Sequence, residues 1–355
     1  QAALADDDEL MISADELEYM RTLGTGSCGE VVAMRWKGGV VACKKIFRAL
    51  LKNDTLSEFR QEYTMLRKLR HPNVVLLLGI TITPNGDLGI ITEHCARGSL
   101  ASVLHAPAGG GAAQQSPTPI PQSTVLKMCA DAARGMHYLH TFEPPIIHRD
   151  LKSHNLLVDM AYNVKVCDFG LSRFQATASL ATTFCGTLPW TAPEVLAGKG
   201  YTTSADVYSF GVVLWECVAR TEPYGDLQSP QIIVGVTRGD LRPPLLPTTP
   251  PPLAALMESC WQHDAATRPS FSTILEQLVL LEGEIVVVEQ QQQQKQLLLQ
   301  QQQYTVAAVG ERFRSAARGP TTVSHVVNGA AAAAAAAAAA IQHAAPTVAI
   351  GAGAT

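Results

Sequence analysis

The chain has 355 residues, with 27 Lys or Arg and 31 Asp or Glu, which gives a formal net charge of −4. This length is enough for about two domains. The small net charge argues against nucleic acid or an anionic membrane as a partner. No apolar run reaches the roughly 20 residues that cross a bilayer, so we expect no membrane span.

The residues from the start of the chain to position 95 predict a β-rich region. Residues 1–16 form an acidic lead-in, and residues 17–95 are rich in β-forming side chains. Their pattern predicts four strands, at 31–36, 40–46, 74–83 and 89–93. Gly38 and Gly39 predict a hairpin turn between the first two strands. Apolar residues recur every three or four positions in 56–69, which predicts a helix.

The rest of the chain divides into a helical region and a tail. The periodicity of residues 96–283 predicts helices, at 124–140, 207–219 and 253–261. Glycines and prolines in 106–122 predict a flexible insertion. Residues 284–355 contain a Gln-rich tract and a run of eleven alanines. We expect this tail to be disordered, with an association module as the alternative.

The eight cysteines lie at least 15 residues apart, and no Cys-x-x-Cys pair occurs. This spacing excludes zinc ribbons and thioredoxin-like redox sites. Isolated cysteines in a chain of this length are typical of reduced thiols that pack as small apolar residues. We therefore expect a cytoplasmic location, with the nucleus as an alternative.

A glycine-rich motif precedes the first predicted strand. Gly24, Gly26 and Gly29 form a G-x-G-x-x-G pattern, and such glycines let backbone amides approach phosphate groups closely. A simple hairpin turn is the alternative. A dinucleotide-binding turn is excluded, because it requires a helix directly after the glycines and an acid about 20 residues later, where this chain has Lys44.

Lys44 lies within the predicted strand 40–46. A lysine there can hold phosphates if a partner fixes its flexible side chain, and Glu62 on the predicted helix is the candidate partner. The alternative is that both are solvated surface charges. The neighbouring Lys45 would face the opposite side of the strand.

The strongest motif is His148-Arg149-Asp150-Leu151-Lys152-Ser153-His154-Asn155, followed thirteen residues later by Asp168-Phe169-Gly170. Phosphoryl transfer needs a carboxylate that orients the attacking hydroxyl, oxygen ligands for Mg²⁺, and cations that neutralise developing charge. These two short segments supply all three kinds of group. Their chance occurrence together with an upstream lysine and glycine loop is very improbable.

Together the motifs resemble those of eukaryotic protein kinases, over about residues 17–281. Further matching positions are Ala192-Pro193-Glu194, 206–211 and Arg268. The resemblance implies an α+β, bilobal protein-kinase fold, with a β-rich N-terminal lobe and hinge at 17–95 and a mainly helical C-terminal lobe at 96–283. It gives Glu194, Asp206 and Arg268 structural roles.

The resemblance also implies ATP and Mg²⁺ as cofactors. Asp150 would be the catalytic base, and Lys44, paired with Glu62, would hold phosphates. The implied catalytic residues are Asp150, Lys152, Lys44 and Glu62, and the implied metal ligands are Asn155 and Asp168. The implied nucleotide-binding positions are Gly24, Thr25, Gly26, Ser27, Cys28, Gly29, Val31, Ala42, Lys44, Thr92 (the gatekeeper position), Glu93, Cys95, Asn155, Leu157 and Asp168.

The subgroup follows from a mixture of features. Lys152 and Thr187 resemble serine/threonine kinases, whereas other segments resemble tyrosine kinases, namely 71–75, 97–100, 208–216 and 268–271. This mixture is similar to the tyrosine-kinase-like group, including Raf-like and mixed-lineage kinases. The resemblance implies a serine/threonine kinase acting on proteins in a signalling cascade, with downstream kinases as candidate substrates. A dual-specificity kinase and a pseudokinase scaffold are the alternatives.

Two further expectations concern regulation and thiol chemistry. Arg149 can pair with a phosphate on the segment 171–191. The candidate hydroxyls are Thr177, Ser179, Thr182 and Thr183, with Thr182 or Thr183 favoured. Cys28 replaces the aromatic residue of many kinases, and Cys167 precedes Asp168. We expect both to be ordinary thiols, because nothing nearby lowers either pKa.

Overall fold

The N-terminal part is built on a five-stranded antiparallel sheet with strand order β1-β2-β3-β5-β4. The strands are β1 Glu18–Gly26, β2 Gly29–Trp36, β3 Gly39–Ile46, β4 Leu77–Ile82 and β5 Leu88–Glu93. The four predicted strands are confirmed, with the third shorter than expected. Strand β1 was not predicted. Two register shifts against β2, near Tyr19 and Thr22, interrupt its two-residue alternation.

The computed structural model describes residues 10–26, 29–46, 63–64, 66–105, 120–168 and 187–316. The chain divides into two units, 1–287 and 288–355. Within the described ranges, no helix combines the length and the apolar character that crossing a membrane requires.

The predicted hairpin joins β2 to β3 through a two-residue turn. Trp36 pairs with Gly39, and the intervening Lys37 and Gly38 have φ angles of 47° and 81°. Positive φ at both central positions is typical of a type I′ turn, whose twist matches that of the flanking strands. Gly38 therefore supplies the conformational freedom that the turn needs.

The end of the acidic lead-in is part of this fold. Met11 forms a parallel bridge with Ile80 of β4, and the Ile12 amide donates to the Ile80 carbonyl at 2.8 Å. The Ile12 side chain is buried in a small cluster on β2, β3 and β5. Gly79 leaves the room for this approach, because a Cβ there would lie 2.6 Å from the Leu10 carbonyl oxygen.

The predicted helix 56–69 is only partly described. Residues 63–64 and 66–68 are helical, and the periodic apolar residues Tyr63, Leu66 and Leu69 are buried in the main core. This burial is what an amphipathic helix provides when it packs against the sheet. Glu62 lies outside the described residues.

The C-terminal part is mainly helical. Its helices are α1 Leu100–Leu104, α2 Gln122–His140, α3 Pro193–Leu196, α4 Thr203–Ala219, α5 Ser229–Arg238, α6 Pro251–Cys260 and α7 Phe271–Ala316. Strands β6 Leu156–Val158 and β7 Val164–Val166 form a small antiparallel sheet. Every residue in 205–217 of α4 is buried, so this helix lies at the centre of the core. The three predicted helices are confirmed, and of the predicted insertion only 120–122 is described.

Helix α7 differs from the disorder expected after residue 283. It continues through the Gln-rich tract to Ala316, and residues 290–309 are all exposed. Gln, Glu and Leu have high helix propensity, so this composition supports a helix even without a core to bury. The alanine run lies outside the described residues.

Candidate active site

A cavity of about 540 Å³ lies between the five-stranded sheet and the β6–β7 pair. The predicted nucleotide-binding residues that line it are Gly24, Val31, Ala42, Lys44, Thr92, Glu93, Cys95, Leu157 and Asp168. Thr25, Gly29 and Asn155 are described but do not line it, and Gly26 is described only as the last residue of β1. Ser27 and Cys28 lie outside the described residues. The volume falls in the range of about 300–1,000 Å³ that is usual for cofactor sites.

Lys44 and Asp168 meet at one end of this cavity. The Lys44 ammonium donates to Asp168 Oδ1 at 2.5 Å, across 124 positions of sequence. The ammonium is the main cause of the lowered pKa of Asp168, which is therefore ionised at neutral pH. Asp168 has a φ of 58°, a conformation that is costly for a side chain with a Cβ and that clusters at functional sites.

Asp150 is held by two neighbours in the loop before β6. Lys152 Nζ lies 2.9 Å from Asp150 Oδ2, and the Asn155 amide nitrogen donates to the same oxygen at 2.9 Å. A short 3₁₀ turn, Ser153–Asn155, brings Asn155 back towards Asp150. Lys152 also donates to Thr187 Oγ1 at 3.0 Å. One carboxylate, one ammonium and one hydroxyl thus converge.

The backbone of this loop is anchored to α4 by Asp206. Asp206 is buried, and its carboxylate accepts from the backbone amides of His148 and Arg149, each at 2.9 Å. His140 Nε2 lies 2.9 Å from the same carboxylate. Arg149 has a φ of 69°. Asp206 therefore has the supporting position that the sequence indicated, because its hydrogen bonds fix a strained backbone next to Asp150.

The two predicted motifs are joined through a buried histidine. His148 Nε2 lies 3.0 Å from the Cys167 carbonyl oxygen, and the Cys167 amide donates to the Asn155 carbonyl at 3.0 Å. These contacts fix the position of Asp168 relative to the loop that carries Asp150. Burial raises the pKa of the Cys167 thiol, so Cys167 is an unreactive thiol although it lines the cavity.

Asn155 and Asp168 provide a donor set that suits Mg²⁺. Because the Asn155 amide nitrogen is used for Asp150, its oxygen is the atom available to a metal. An amide oxygen and a carboxylate are hard ligands of the kind that Mg²⁺ prefers. Among the described residues no group of three or more His, Cys, Asp or Glu could hold a metal. Mg²⁺ is commonly bound through one or two protein ligands together with substrate phosphates, and Asn155 and Asp168 would supply that number.

Glu194 and Arg268 form a buried ion pair, as their supporting roles require. Arg268 Nη1 and Nη2 donate to the two Glu194 oxygens at 2.7 and 2.8 Å, and the Arg268 side chain has no exposed surface. This bidentate geometry is the strong form of the contact. It fixes α3 against the segment that leads into α7.

One buried network beside the site was not predicted from the sequence. Glu216 of α4 accepts hydrogen bonds from Ser153 and Trp190, and burial raises the pKa of its carboxyl to about 7. The signal that could have revealed it is a single acid within an otherwise apolar stretch of α4. Such a residue is rarely buried unless it has polar partners.

The chain is similar to protein kinases over most of its length. Residues 17–278 match the family described as protein tyrosine and serine/threonine kinase. A probable serine/threonine-protein kinase of Dictyostelium discoideum is 47% identical over 280 residues, or 78% of this chain and 26% of that protein. The serine/threonine-protein kinase CTR1 of Arabidopsis thaliana is 42% identical over 274 residues, or 77% of this chain and 32% of CTR1. The matched region thus spans only about a third or less of these relatives.

Proposed function

The chain belongs to the protein tyrosine and serine/threonine kinase family, and from this premise we propose that it transfers the γ-phosphoryl group of ATP to serine and threonine hydroxyls of proteins. The observation that carries the proposal is the contact of Lys152 with both Asp150 and Thr187. It holds a carboxylate and a cation where an incoming hydroxyl would react.

Three residues of the loop before β6 would have separate roles in phosphoryl transfer. Asp150 orients the attacking hydroxyl and accepts its proton, while Asn155 and Lys152 hold its carboxylate in place. Lys152 also neutralises charge that develops on the transferred group. Bound Mg·ATP supplies the phosphoryl group and the metal charge that stabilises it.

The nucleotide would be held by the residues around the cavity. Lys44 supplies a cation for the phosphates, and its contact with Asp168 fixes its flexible side chain. Asp168 and Asn155 would hold the metal. The proposed contribution of Glu62 is to position Lys44. The glycine motif between β1 and β2 would cover the phosphates with backbone amides.

Serine and threonine are favoured over tyrosine as acceptors. The Lys152–Thr187 contact matches the serine/threonine pattern, and the similar proteins are named serine/threonine kinases. The tyrosine-kinase-like segments keep a dual-specificity kinase as the second candidate. The pseudokinase alternative is disfavoured, because the chain has all four residues whose loss would indicate it, namely Lys44, Asp150, Asn155 and Asp168. Protein substrates, with downstream kinases as candidates, and a cytoplasmic location belong to the proposal.

Arg149 supports control by phosphorylation. Its Nε atom is buried and has no hydrogen-bond partner among the described residues, and a phosphate oxygen is a strong acceptor for such a group. The candidate hydroxyls, Thr177, Ser179, Thr182 and Thr183, lie outside the described residues. We propose that phosphorylation of Thr182 or Thr183 orders this segment through Arg149.

The test compares the chain with Asp150→Asn on a peptide array with Mg·ATP. Because general-base catalysis is worth about 10²–10⁴-fold, we expect Asp150→Asn to lower transfer at least 100-fold while ATP binding is kept. Asp226→Asn, at an exposed position, is the matched control and should transfer at the original rate. ATP binding by the unaltered chain without transfer to any peptide would favour the pseudokinase scaffold.

A further inference from the structure

Glu216 connects two segments of the candidate site from inside the core. It has no exposed surface, and its two carboxylate oxygens have different partners. The Ser153 hydroxyl donates to Oε1 at 2.8 Å, and the Trp190 indole N–H donates to Oε2 at 2.6 Å. A buried carboxylate that bridges two segments in this way constrains the distance between them.

The two partners of Glu216 stand next to the reacting groups. Ser153 directly follows Lys152, and Trp190 lies three residues after Thr187. Lys152 and Thr187 themselves meet at 3.0 Å. These hydrogen bonds and the backbone that connects them therefore form a closed path, which runs through Glu216, Ser153, Lys152, Thr187 and Trp190. A shift of Ser153 or Trp190 would change the Lys152–Thr187 contact.

Buried helix α4 makes further contacts that hold this closed path in place. The Trp190 carbonyl accepts a second bond to the helix, from the Ser209 hydroxyl at 2.7 Å. The rings of His154 and Trp190 also meet edge to face, with centroids 5.9 Å apart. Both segments are thus held against one buried helix, and among the described residues of α4 Glu216 is the one whose side chain bonds to both Ser153 and Trp190.

The bridge does not depend on the charge of Glu216. Burial raises the pKa of its carboxyl to about 7, and Glu222 acts in the same direction. A neutral acid can donate to the Ser153 oxygen and still accept from Trp190, so both protonation states keep two hydrogen bonds. The other charged or titratable groups around the bridge are His105, the residue directly after α1, whose Nε2 lies 3.5 Å from Oε1, and Lys152 and His154 on the loop before β6.

We propose that Glu216 is a positioning residue for phosphoryl transfer, which sets the Lys152–Thr187 geometry through hydrogen bonds to Ser153 and Trp190. This inference rests on the proposed kinase activity. It differs from a role in packing alone, because it predicts that the hydrogen-bonding groups of residue 216 decide the rate of transfer.

The test compares Glu216→Gln with Glu216→Leu in the full chain. A glutamine can accept from Trp190 and donate to Ser153, as the neutral acid does, whereas leucine can do neither. We expect Glu216→Gln to keep kcat within about threefold. We expect Glu216→Leu to lower kcat about 100-fold, the cost of a small misplacement of reacting groups, with the KM for ATP within twofold. A Glu216→Leu kcat near the original value, or equal losses in both variants, would overturn the proposal.

Two controls separate positioning from stability and from the activity itself. Val213→Ala removes buried volume from α4 without touching the bridge, so it should lower the melting temperature but leave kcat within threefold. The NMR signal of the Trp190 indole N–H, assigned by its loss in Trp190→Phe, should move in Glu216→Leu and stay in place in Glu216→Gln. An unmoved signal in Glu216→Leu would refute the bridge, whereas an inactive parent chain with a moved signal would refute the kinase proposal alone.

Discussion

Single side chains connect segments of this chain that are distant in sequence. Lys44 contacts Asp168 across 124 positions, and Arg268 pairs with Glu194 across 74. The Arg268 side chain has no exposed surface, so removal of Glu194 would leave a buried charge without its counter-ion. Glu216 differs, because it accepts hydrogen bonds from two neutral donors, Ser153 and Trp190. Its own charge depends on whether its carboxyl is protonated.

Glu216 gives the folded chain a specific dependence on pH. Burial raises the pKa of its carboxyl from 4.5 to about 7, so between these values the folded state binds more protons than the unfolded state. The free energy of unfolding therefore falls as pH rises through this interval, by about 3 kcal/mol from this group. Urea denaturation at pH 5 and pH 7.5 should show this fall in the parent chain, and Glu216→Gln should lack it.

The comparison with Glu216→Gln isolates one group among several. Asp168 has a lowered pKa and acts in the opposite sense, because its contribution to stability is lost as pH falls. Since the glutamine variant retains Asp168, the difference between the two proteins reports residue 216 alone. Identical pH dependence in parent and variant would show that the acid is ionised in the folded state throughout this range.

At the scale of the element, the β2–β3 hairpin depends on one glycine. Gly38 has a φ of 81°, whereas Gly39 is not among the residues with positive φ. An alanine at a positive φ costs about 1–2 kcal/mol, so Gly38→Ala should lower the free energy of unfolding by about that amount. Gly39→Ala is the matched control, because a Cβ there would have its nearest contact at an ordinary 3.6 Å. Equal effects of the two substitutions in urea denaturation would contradict this interpretation of the turn.

Local patterns predicted the elements that have regular periodicity. The strand β3 and the helix α2 follow the two- and 3.6-residue repeats that burial of one face imposes, and α4 is apolar along most of its length, as burial on all sides requires. Strand β1 was not predicted, because two bulges interrupt the alternation of its side chains between the two faces of the sheet. Helix α7 extends beyond residue 283 because the high helix propensity of its Gln, Glu and Leu residues can support it without a buried face. The low complexity of this segment led to the expectation of disorder, but it carries no information about helix propensity.

The candidate site was predictable to the extent that its residues are neighbours in sequence. Asp150, Lys152 and Asn155 lie within six positions, and the chemistry of phosphoryl transfer identifies them as a set. Physical reasoning from one sequence could not bring Lys44 to Asp168. The kinase resemblance implied that both lie at one nucleotide site, but it gave Glu62 and not Asp168 as the partner of Lys44. Neither source gave Glu216 a role, because its hydrogen-bond partners Ser153 and Trp190 are brought to it only by the packing of α4 beneath two separate loops.

At the scale of the whole molecule, we expect the residues up to about 287 to be required for folding and the residues after them to be dispensable. Phe271, Ile274, Leu278 and Leu281, in the first turns of α7, are buried in the core of the first unit. Beyond them, residues 290–309 are exposed. Truncation after Val287 should therefore leave the melting temperature and the rate of phosphoryl transfer close to those of the full chain.

Truncation after Ser270 should instead abolish folding. It removes four buried apolar side chains, each worth about 1.5–3 kcal/mol, and their sum is comparable to the whole stability of about 5–15 kcal/mol of a typical domain. The two truncations would be compared by thermal unfolding, by peptide phosphorylation and by light scattering. If the chain that ends at Val287 lost activity, or if it changed its state of assembly, the Gln-rich part of α7 and the residues after it would carry part of the function as an association module.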